Sequence, residues 1–551
     1  MTEPKRLLYS KIISKIKSNK ALIALLFVVI FSVFLIKPNK NFPLNDGWVH
    51  TLTANTLSCN KKIFYPDWLS PVNYAPIITE SIIIKLFGLN FGYLQIANII
   101  WMSIGLLAFY VLLRQCKIKP LFCFLLSLSL WFNPIIFNLA FTNMGDIPAL
   151  AFLLLAMLFC QKGLNKNKNL FFFFGIIFAL LSCATRQINV LFLISILIYL
   201  FFKKNINNKN AKLFIAILLS ATASILFIIL FSYGLFPHKM ASHLLPEEWS
   251  YFKFFIISLI EYLLLLSLFI SPFILGWIVN YRQYFSFKKL FCLVGIGLLG
   301  GYISQRLNIT VLNMGNMMTI FGLGPSRGVL QGDLKMWGKE WMYGALHFFA
   351  FVIFVLILYI FIKNRKKIYS FISSNQLGFL FIYLALYILT ISAIANFDRY
   401  LIMALPIALI IAGWLLQNYK ISLTAAIALI IIFALYSIIG TYNYLQWNSA
   451  RWNLAQKLIG QNVPASSIEG GYEWNGWNIY GKTRGKPLGA YTPPWAPWYV
   501  KELTPGHLMQ YIISFSPLGG YVAADQKNVR NIWGNITTIY ANKVNPGSLG
   551  K

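Results

Sequence analysis

The chain has 551 residues, of which 58% are hydrophobic and only 11% are charged, and its mean hydropathy is +0.66. This composition excludes a soluble globular protein and indicates a protein with many membrane spans. The formal net charge is +32, but about half of the basic residues lie in the N-terminal tail and in short segments between apolar runs, without the basic soluble face of a nucleic-acid-binding protein. We therefore expect no nucleic-acid partner.

Apolar runs long enough to cross a hydrocarbon core of about 30 Å recur from Ala21 to about Thr441. They predict an α-helical polytopic membrane protein with about thirteen transmembrane helices. The first run is not expected to be a cleaved signal peptide, because no small-residue cleavage site follows it. The expected spans lie near residues 21–37, 92–113, 120–139, 147–161, 170–184, 188–202, 211–232, 251–279, 290–303, 344–362, 373–394, 400–416 and 421–440.

The distribution of Lys and Arg sets the predicted orientation. If the N-terminus is cytoplasmic, the inner segments hold 24 of the 47 Lys and Arg residues and a single acid, Glu3. This asymmetry follows the positive-inside rule. An odd number of spans then places the C-terminal region on the outer side. We expect a multi-pass protein of the cell (inner or plasma) membrane with a cytoplasmic N-terminus and a periplasmic or extracytoplasmic C-terminal domain.

The sequence predicts two domains. Residues 1–441 form a transmembrane domain with a long first outer loop (38–90) and a second long outer loop (305–344). Residues 442–551, where apolar runs stop and Trp, Asn, Gly and Pro become frequent, form a small outer domain. Short β-like runs indicate that this domain is α/β or β-rich. None of the six cysteines lies beyond Cys292, so disulfides are not expected to hold it together.

Asp46 is the first candidate site residue, in the segment Asn45-Asp-Gly-Trp-Val-His50 just after the first apolar run. A carboxylate held near hydrocarbon is costly unless it has a use. One interpretation is a general base that accepts a proton from an acceptor hydroxyl. The alternative is only an N-cap for a helix starting near Trp48.

Two further candidates lie at the outer ends of later spans. Asp146 opens the fourth span in the sequence Asp-Ile-Pro, which suits a second catalytic carboxylate but is also good chemistry for a helix start. Arg186 lies between two apolar runs at the outer boundary. An Arg in such a place pairs with a carboxylate or a phosphate, or snorkels to the interface.

Asp398, Arg399 and Tyr400 lie in a tight outer turn between two predicted spans. Two interpretations stay open for this turn. In the first, Asp398 and Arg399 form a local salt bridge. In the second, the planar guanidinium of Arg399 binds a lipid phosphate.

The long outer loop 305–344 contains Arg327 and Lys335 among Gly, Trp and polar residues. Loops of this length are usually lids, binding loops or flexible connectors, and this composition also suits acceptor binding. The sequence has no Cys and His cluster with metal-ligand spacing. No cofactor is predicted with certainty, and a divalent metal stays open.

Several short motifs, each weak alone, follow one another in a specific order along the chain. They are Asp46 with His50 after the first span, Tyr74-Ala-Pro at the end of the first outer loop, Asp146-Ile-Pro, and Arg399-Tyr-Leu with Pro406 downstream. Together with the terminal outer domain, this order resembles the C-type (GT-C) glycosyltransferase superfamily. By pattern the chain is similar to bacterial protein O-mannosyltransferases and to lipid A aminoarabinose transferase-like proteins.

The resemblance implies an inverting hexosyl- or pentosyltransferase of the cell envelope, acting at the outer membrane face with Asp46 as base. Its implied partners are a polyprenyl-phosphate sugar donor, membrane lipid, and an acceptor protein or lipid, as in protein glycosylation. A phosphate leaving group needs cations and hydrogen-bond donors where its charge develops. The candidate substrate-binding residues are His50, Tyr74, Arg186, Arg327, Lys335, Asp398, Arg399 and Tyr400.

The chain departs from the family pattern at two places. Asn45 stands beside Asp46 where many relatives have a second acid, and Asn73-Tyr-Ala-Pro76 lacks the Lys with which aminoarabinose transferases bind phosphate. The phosphate ligand is therefore left open among the outer cations. Two other functions also stay open: a transporter or flippase for a lipid-linked glycan, and a non-catalytic scaffold.

Overall fold

The structure of the chain is a computed structural model. The structure describes residues 3–38, 40–59, 63–69, 72–166, 168–202, 215–226, 248–280, 286–312, 314–326, 328–334, 336, 338–374, 377–394, 397–484, 496–530 and 536–544.

The described part of the chain is mostly helical, as the hydropathy pattern predicts. The helices are α1 (Glu3–Ile36), α2 (Gly47–Ser58), α3 (Tyr74–Phe87), α4 (Phe91–Gln115), α5 (Pro120–Trp131), α6 (Pro134–Ala140), α7 (Asp146–Lys166), α8 (Asn169–Cys183), α9 (Val190–Phe202), α10 (Ile215–Leu226), α11 (Glu248–Asn280), α12 (Phe287–Arg306), α13 (Glu340–Lys363), α14 (Arg365–Ser374), α15 (Gly378–Ile394), α16 (Leu405–Leu416), α17 (Leu423–Gly460), α18 (Tyr472–Asn478), α19 (Tyr480–Thr483) and α20 (Trp498–Leu503).

Six of the described helices are long and apolar enough to cross a membrane, namely α4, α7, α11, α12, α13 and α17. A seventh candidate is the pair α5–α6, which bends by 65°. Asn133 and Pro134 cause this bend, because Asn133 caps the new helix through the N–H groups of Ile135 and Ile136. Six shorter apolar helices lie among the described residues. The number of spans, expected to be about thirteen, stays a prediction.

The outer surface of the helical bundle is apolar. Phe27 and Phe34 on α1 and Phe287 on α12 are among many exposed large hydrophobic side chains. A surface of this kind would be exceptional in water and is the expected one in a lipid bilayer. The chain is therefore a multi-pass membrane protein, with α7 in the interior of the bundle and α12 near its periphery.

The first long loop, residues 38–90, contains two helices, α2 and α3, which pack against each other. The second long loop, residues 305–344, contains a short β-hairpin. Its strands, β1 (Met318–Thr319) and β2 (Gly322–Leu323), have two residues each. Both loops lie close to the same end of the bundle, because Asn45 of the first donates through its side-chain amide to the sulfur of Met317 in the second, at 3.7 Å.

The C-terminal region contains a four-stranded sheet, which confirms the expected α/β or β-rich module. Its strands are β3 (Ile468–Glu469), β4 (Tyr511–Ser514), β5 (Tyr521–Arg530) and β6 (Ile536–Val544), in the order β3-β4-β6-β5. Only the β3–β4 pair is parallel. Helix α17 runs without a break past the expected domain boundary at 441/442 and packs against β5 and β6.

Candidate active site

Asp46 lies at the start of α2, immediately after Asn45, whose φ of +51° is in the left-handed region that Asn tolerates. Asp46 occupies the N-cap position of α2, as the alternative expected, but its side chain makes no capping hydrogen bond. Its Oδ2 instead accepts from Nη1 of Arg399 at 2.9 Å, and its Oδ1 accepts from the Tyr472 hydroxyl at 2.8 Å. The side chain is 38% exposed, so a substrate can reach it.

A second ion pair joins Asp146 at the start of α7 to Arg186, with Nη2 and Oδ2 2.6 Å apart. Arg186 therefore pairs with a carboxylate rather than snorkelling. The aromatic ring of Tyr400 connects the two pairs, because the guanidinium carbons of Arg186 and Arg399 are each 5.7 Å from its centroid. Five of the residues singled out in the sequence thus meet in one cluster.

The two arginines retain unused donors. Within the described part of the chain, the Nε atoms of Arg186 and Arg399 are buried and have no hydrogen-bond partner. Buried polar groups in folded proteins nearly always have a partner. The cluster therefore has capacity for an anionic ligand that supplies acceptor oxygens.

The charged groups of the cluster shift one another's pKa values. Removal from water raises the pKa of Asp46, but Arg399, the Tyr472 hydrogen bond and Arg186 outweigh this and hold the pKa below its ordinary value of 3.8. Burial lowers the pKa of Arg399, but Asp46 and its other neighbours outweigh that effect and raise it above the ordinary range. Asp46 is consequently ionised, and Arg399 positively charged, at neutral pH.

Asp398 does not form the local salt bridge with Arg399 that was one of the two interpretations. Its carboxylate accepts the backbone N–H of Met318 at 2.6 Å and that of Met317 at 2.9 and 3.0 Å. It therefore anchors the β1 segment of the second long loop beside the cluster. Burial raises the pKa of Asp398 to about 6, against the effect of these N–H donors.

His50 lies one turn beyond Asp46 in a buried network. Its Nδ1 is 3.1 Å from Oε2 of Glu80 on α3, which also accepts from the Thr51 hydroxyl at 2.7 Å. Asn143 donates to the same hydroxyl at 3.0 Å. This network joins α2 to α3 and to the segment before α7, so it fixes the position of the Asp46 segment relative to the Asp146 segment.

The structure leaves no room for a side chain at position 47 unless Asn143 moves. A Cβ on Gly47 would overlap the side-chain amide of Asn143. The Gly that follows Asp46 therefore lets the start of α2 pack closely against the segment that leads to Asp146.

Tyr74 begins α3 beside the second ion pair. The N–H of Ala75 donates to the carbonyl of Ala184 at 3.4 Å, two residues before Arg186. Tyr74 is half-buried, and burial raises the pKa of its phenol. The other two candidates, Arg327 and Lys335, lie outside the described residues.

Sequence reasoning missed several residues that contact the cluster. Tyr472 and Glu473 come from the C-terminal region: Glu473 accepts the N–H of Asn45 at 2.9 Å and pairs with Arg451 at 2.9 Å. Glu80 was also missed, although an acid inside the apolar sequence of α3 is a recognisable signal. No local pattern marks Tyr472 as a partner of Asp46.

An apolar groove of about 620 Å³ lies between α11, α13 and α17, close to the cluster. Leu268, Leu346 and Phe433 are among its lining residues, and the exposed side chains of Ile432 and Leu435 stand at its rim. Met318, whose N–H binds Asp398, also lines it. Among the described residues, no group of three His, Cys, Asp or Glu side chains is arranged to hold a metal ion.

Comparison with known proteins gives one family match. Residues 76–233 match the model of the family described as dolichyl-phosphate-mannose-protein mannosyltransferase. This segment includes Asp146 and Arg186 but neither Asp46 nor Arg399. No curated protein matches the sequence.

Two crystal structures of ArnT from Cupriavidus metallidurans are similar to the chain at 10% sequence identity. The one bound to undecaprenyl phosphate has a TM-score of 0.43 and covers 80% of this chain and 73% of that chain. The one in the apo state has a TM-score of 0.32 and covers 74% and 78%. The chain is thus a multi-pass membrane protein whose residues 76–233 are similar to the dolichyl-phosphate-mannose-protein mannosyltransferase family.

Proposed function

We propose that the chain is an integral-membrane glycosyltransferase. It moves a sugar from a polyprenyl-phosphate-linked donor to a hydroxyl of an acceptor protein, lipid or glycan at the outer membrane face, with inversion and with Asp46 as general base. The observation that carries the proposal is the meeting of two Asp–Arg pairs around Tyr400, from segments far apart in the chain.

The reaction needs both charges of this cluster. The acceptor hydroxyl attacks the anomeric carbon on the face opposite the phosphate, and the bond from that carbon to the phosphate oxygen breaks. The acceptor proton passes to the Asp46 carboxylate. The departing phosphate gains negative charge, which Arg399 and Arg186 stabilise through preorganised donors.

The Asp46–Arg399 pair makes the basicity of Asp46 depend on the binding of the donor. A carboxylate paired with a cation is ionised, which a base requires, but it is weakly basic. A donor phosphate offers Arg399 a second set of acceptor oxygens. When phosphate draws the guanidinium from Asp46, the carboxylate becomes more basic at the moment the donor is in place.

The apolar groove between α11, α13 and α17 suits the polyprenyl chain of the donor. Its lining is predominantly apolar, so burial of prenyl units there is favourable. Met318 lies at the groove, and its N–H binds Asp398, the immediate neighbour of Arg399. A carrier in the groove would therefore bring its phosphate towards the guanidinium.

The test is a transfer assay with protein reconstituted in liposomes and a synthetic polyprenyl-phosphate sugar. Wild type should release free polyprenyl phosphate and form a glycoside of inverted anomeric configuration, read by NMR. Asp46→Asn should insert and fold but form no product, because Asn has nearly the same size and shape as Asp yet cannot act as base. Movement of an intact lipid-linked sugar across the bilayer without release of carrier would support the transporter function instead.

A further inference from the structure

The C-terminal domain contacts the Asp46 segment through short helix α18. The Tyr472 hydroxyl donates to Oδ1 of Asp46 at 2.8 Å, while Arg399 occupies Oδ2. Each carboxylate oxygen is thus fixed by a different part of the chain. Tyr472 itself is buried, and its ring packs edge-on against Trp48, with centroids 5.8 Å apart.

The next residue, Glu473, holds the backbone beside the base. Its Oε1 accepts the N–H of Asn45 at 2.9 Å, and its Oε2 pairs with Arg451 of α17 at 2.9 Å. Both members of this ion pair are at most 1% exposed, so the pair is a fixed part of the interior. It holds Asn45 in the left-handed conformation that directs Asp46 towards Arg399.

Helix α18 packs closely against α2 at Gly476, which lies directly against the ring of Trp48. A Cβ at this position would overlap the ring of Trp48. Because Trp48 lies two residues after Asp46, a displacement of α18 moves the Tyr472 hydroxyl relative to the carboxylate.

We infer that the C-terminal domain completes the catalytic centre, with Tyr472 as a positioning residue that orients the Asp46 carboxylate and Glu473 as the residue that fixes its backbone. This inference rests on the proposed function of Asp46. It assigns to the C-terminal domain a direct part in glycosyl transfer.

The Tyr472 hydrogen bond has a measurable consequence. A hydrogen bond to the charged form of a carboxyl favours ionisation, so its loss raises the pKa of Asp46. The cations Arg399 and Arg186 remain and keep the carboxyl ionised at neutral pH. The charged and titratable groups around Asp46 are Arg399, Arg186, Asp146, Glu473, Tyr472, Tyr400 and Tyr444.

Tyr472→Phe tests the inference, because it removes one oxygen and keeps the ring. In the liposome assay, kcat/KM should fall roughly tenfold, and the acid limb of its pH profile should move to higher pH. The matched control is Tyr499→Phe. Tyr499 is a buried tyrosine of the same domain that donates to a carboxylate, Glu469, at 3.0 Å. It should lose a similar amount of thermal stability but leave the acid limb in place.

Gly476→Ala tests the same contact without touching a polar group, and covers the case in which Tyr472→Phe is recovered poorly. It should also lower kcat/KM and raise the acid limb. The inference is overturned if Asp46→Asn abolishes transfer while the recovered Tyr472→Phe or Gly476→Ala variant keeps the wild-type kcat/KM and acid limb. Full turnover by Asp46→Asn would instead overturn the proposed function.

Discussion

Replacement of Arg399 by Lys keeps the positive charge and removes the planar fork. In the structure Nη1 of Arg399 is 2.9 Å from Asp46, the side chain is only 8% exposed, and its Nε is a buried donor without a partner. Lys can supply one point charge to Asp46 or to a phosphate, but not both in a fixed geometry. A charge-assisted hydrogen bond contributes roughly 1.5–3 kcal/mol, so kcat/KM should fall roughly 10- to 150-fold.

Steady-state kinetics with a synthetic polyprenyl-phosphate sugar measure this loss, and Arg484→Lys is the matched control. Arg484 also pairs with an aspartate, Asp67, but the two side chains are 31% and 40% exposed. Exposed pairs contribute about 0–1 kcal/mol, so its loss in kcat/KM should be about fivefold at most. Equal, mild effects of the two replacements would refute the assignment of the donor phosphate to Arg399.

Three further predictions concern the backbone, the pH dependence of stability, and topology. Asn45→Gly should keep activity and Asn45→Val should lose it in the same assay, because only the first accepts a φ of +51°; equal activities would contradict the role given to this conformation. Burial raises the pKa of Glu469 from 4.5 in the unfolded chain to about 7 in the folded protein. The folded protein is therefore most stable below pH 4.5, where Glu469 is protonated in both states, and it loses stability as the pH rises through 7. The free energy of unfolding should thus fall by about 3 kcal/mol over this range, and Glu469→Gln should flatten the thermal midpoint measured against pH; an unchanged slope would contradict it. Reporters active only in an oxidising compartment should read opposite when fused after Asn364 and after Gln461, and matching signals would place the outer domain on the wrong side.

The sequence was sufficient for the parts of the site that depend on local pattern. An Arg at the end of an apolar run needs a counter-charge, and the structure supplies Asp146 to Arg186. Likewise, Asp46 follows the first apolar run closely and so lies near hydrocarbon, where a carboxylate is costly unless it has a use. This position distinguishes Asp46 from other loop acids. The helical class and the β-rich C-terminal module also follow from periodicity and composition.

The partners of Asp46 could not be predicted, because they depend on the tertiary fold. Arg399 lies 353 residues away in sequence, and Tyr472 lies 426 residues away. For Asp398, the neighbouring Arg suggested a local pair. The free backbone N–H groups of Met317 and Met318 compete for the same carboxylate and bind it instead.

The most direct test of the account is mass spectrometry of the glycans on proteins and lipids at the outer membrane face, because it works with any acceptor. It compares the parent strain, a deletion strain, and the deletion strain carrying either wild-type protein or Asp46→Asn at equal membrane abundance. The account predicts that one sugar modification disappears on deletion and returns with wild type but not with Asp46→Asn. Unchanged glycans on deletion, or full restoration by Asp46→Asn, would contradict it.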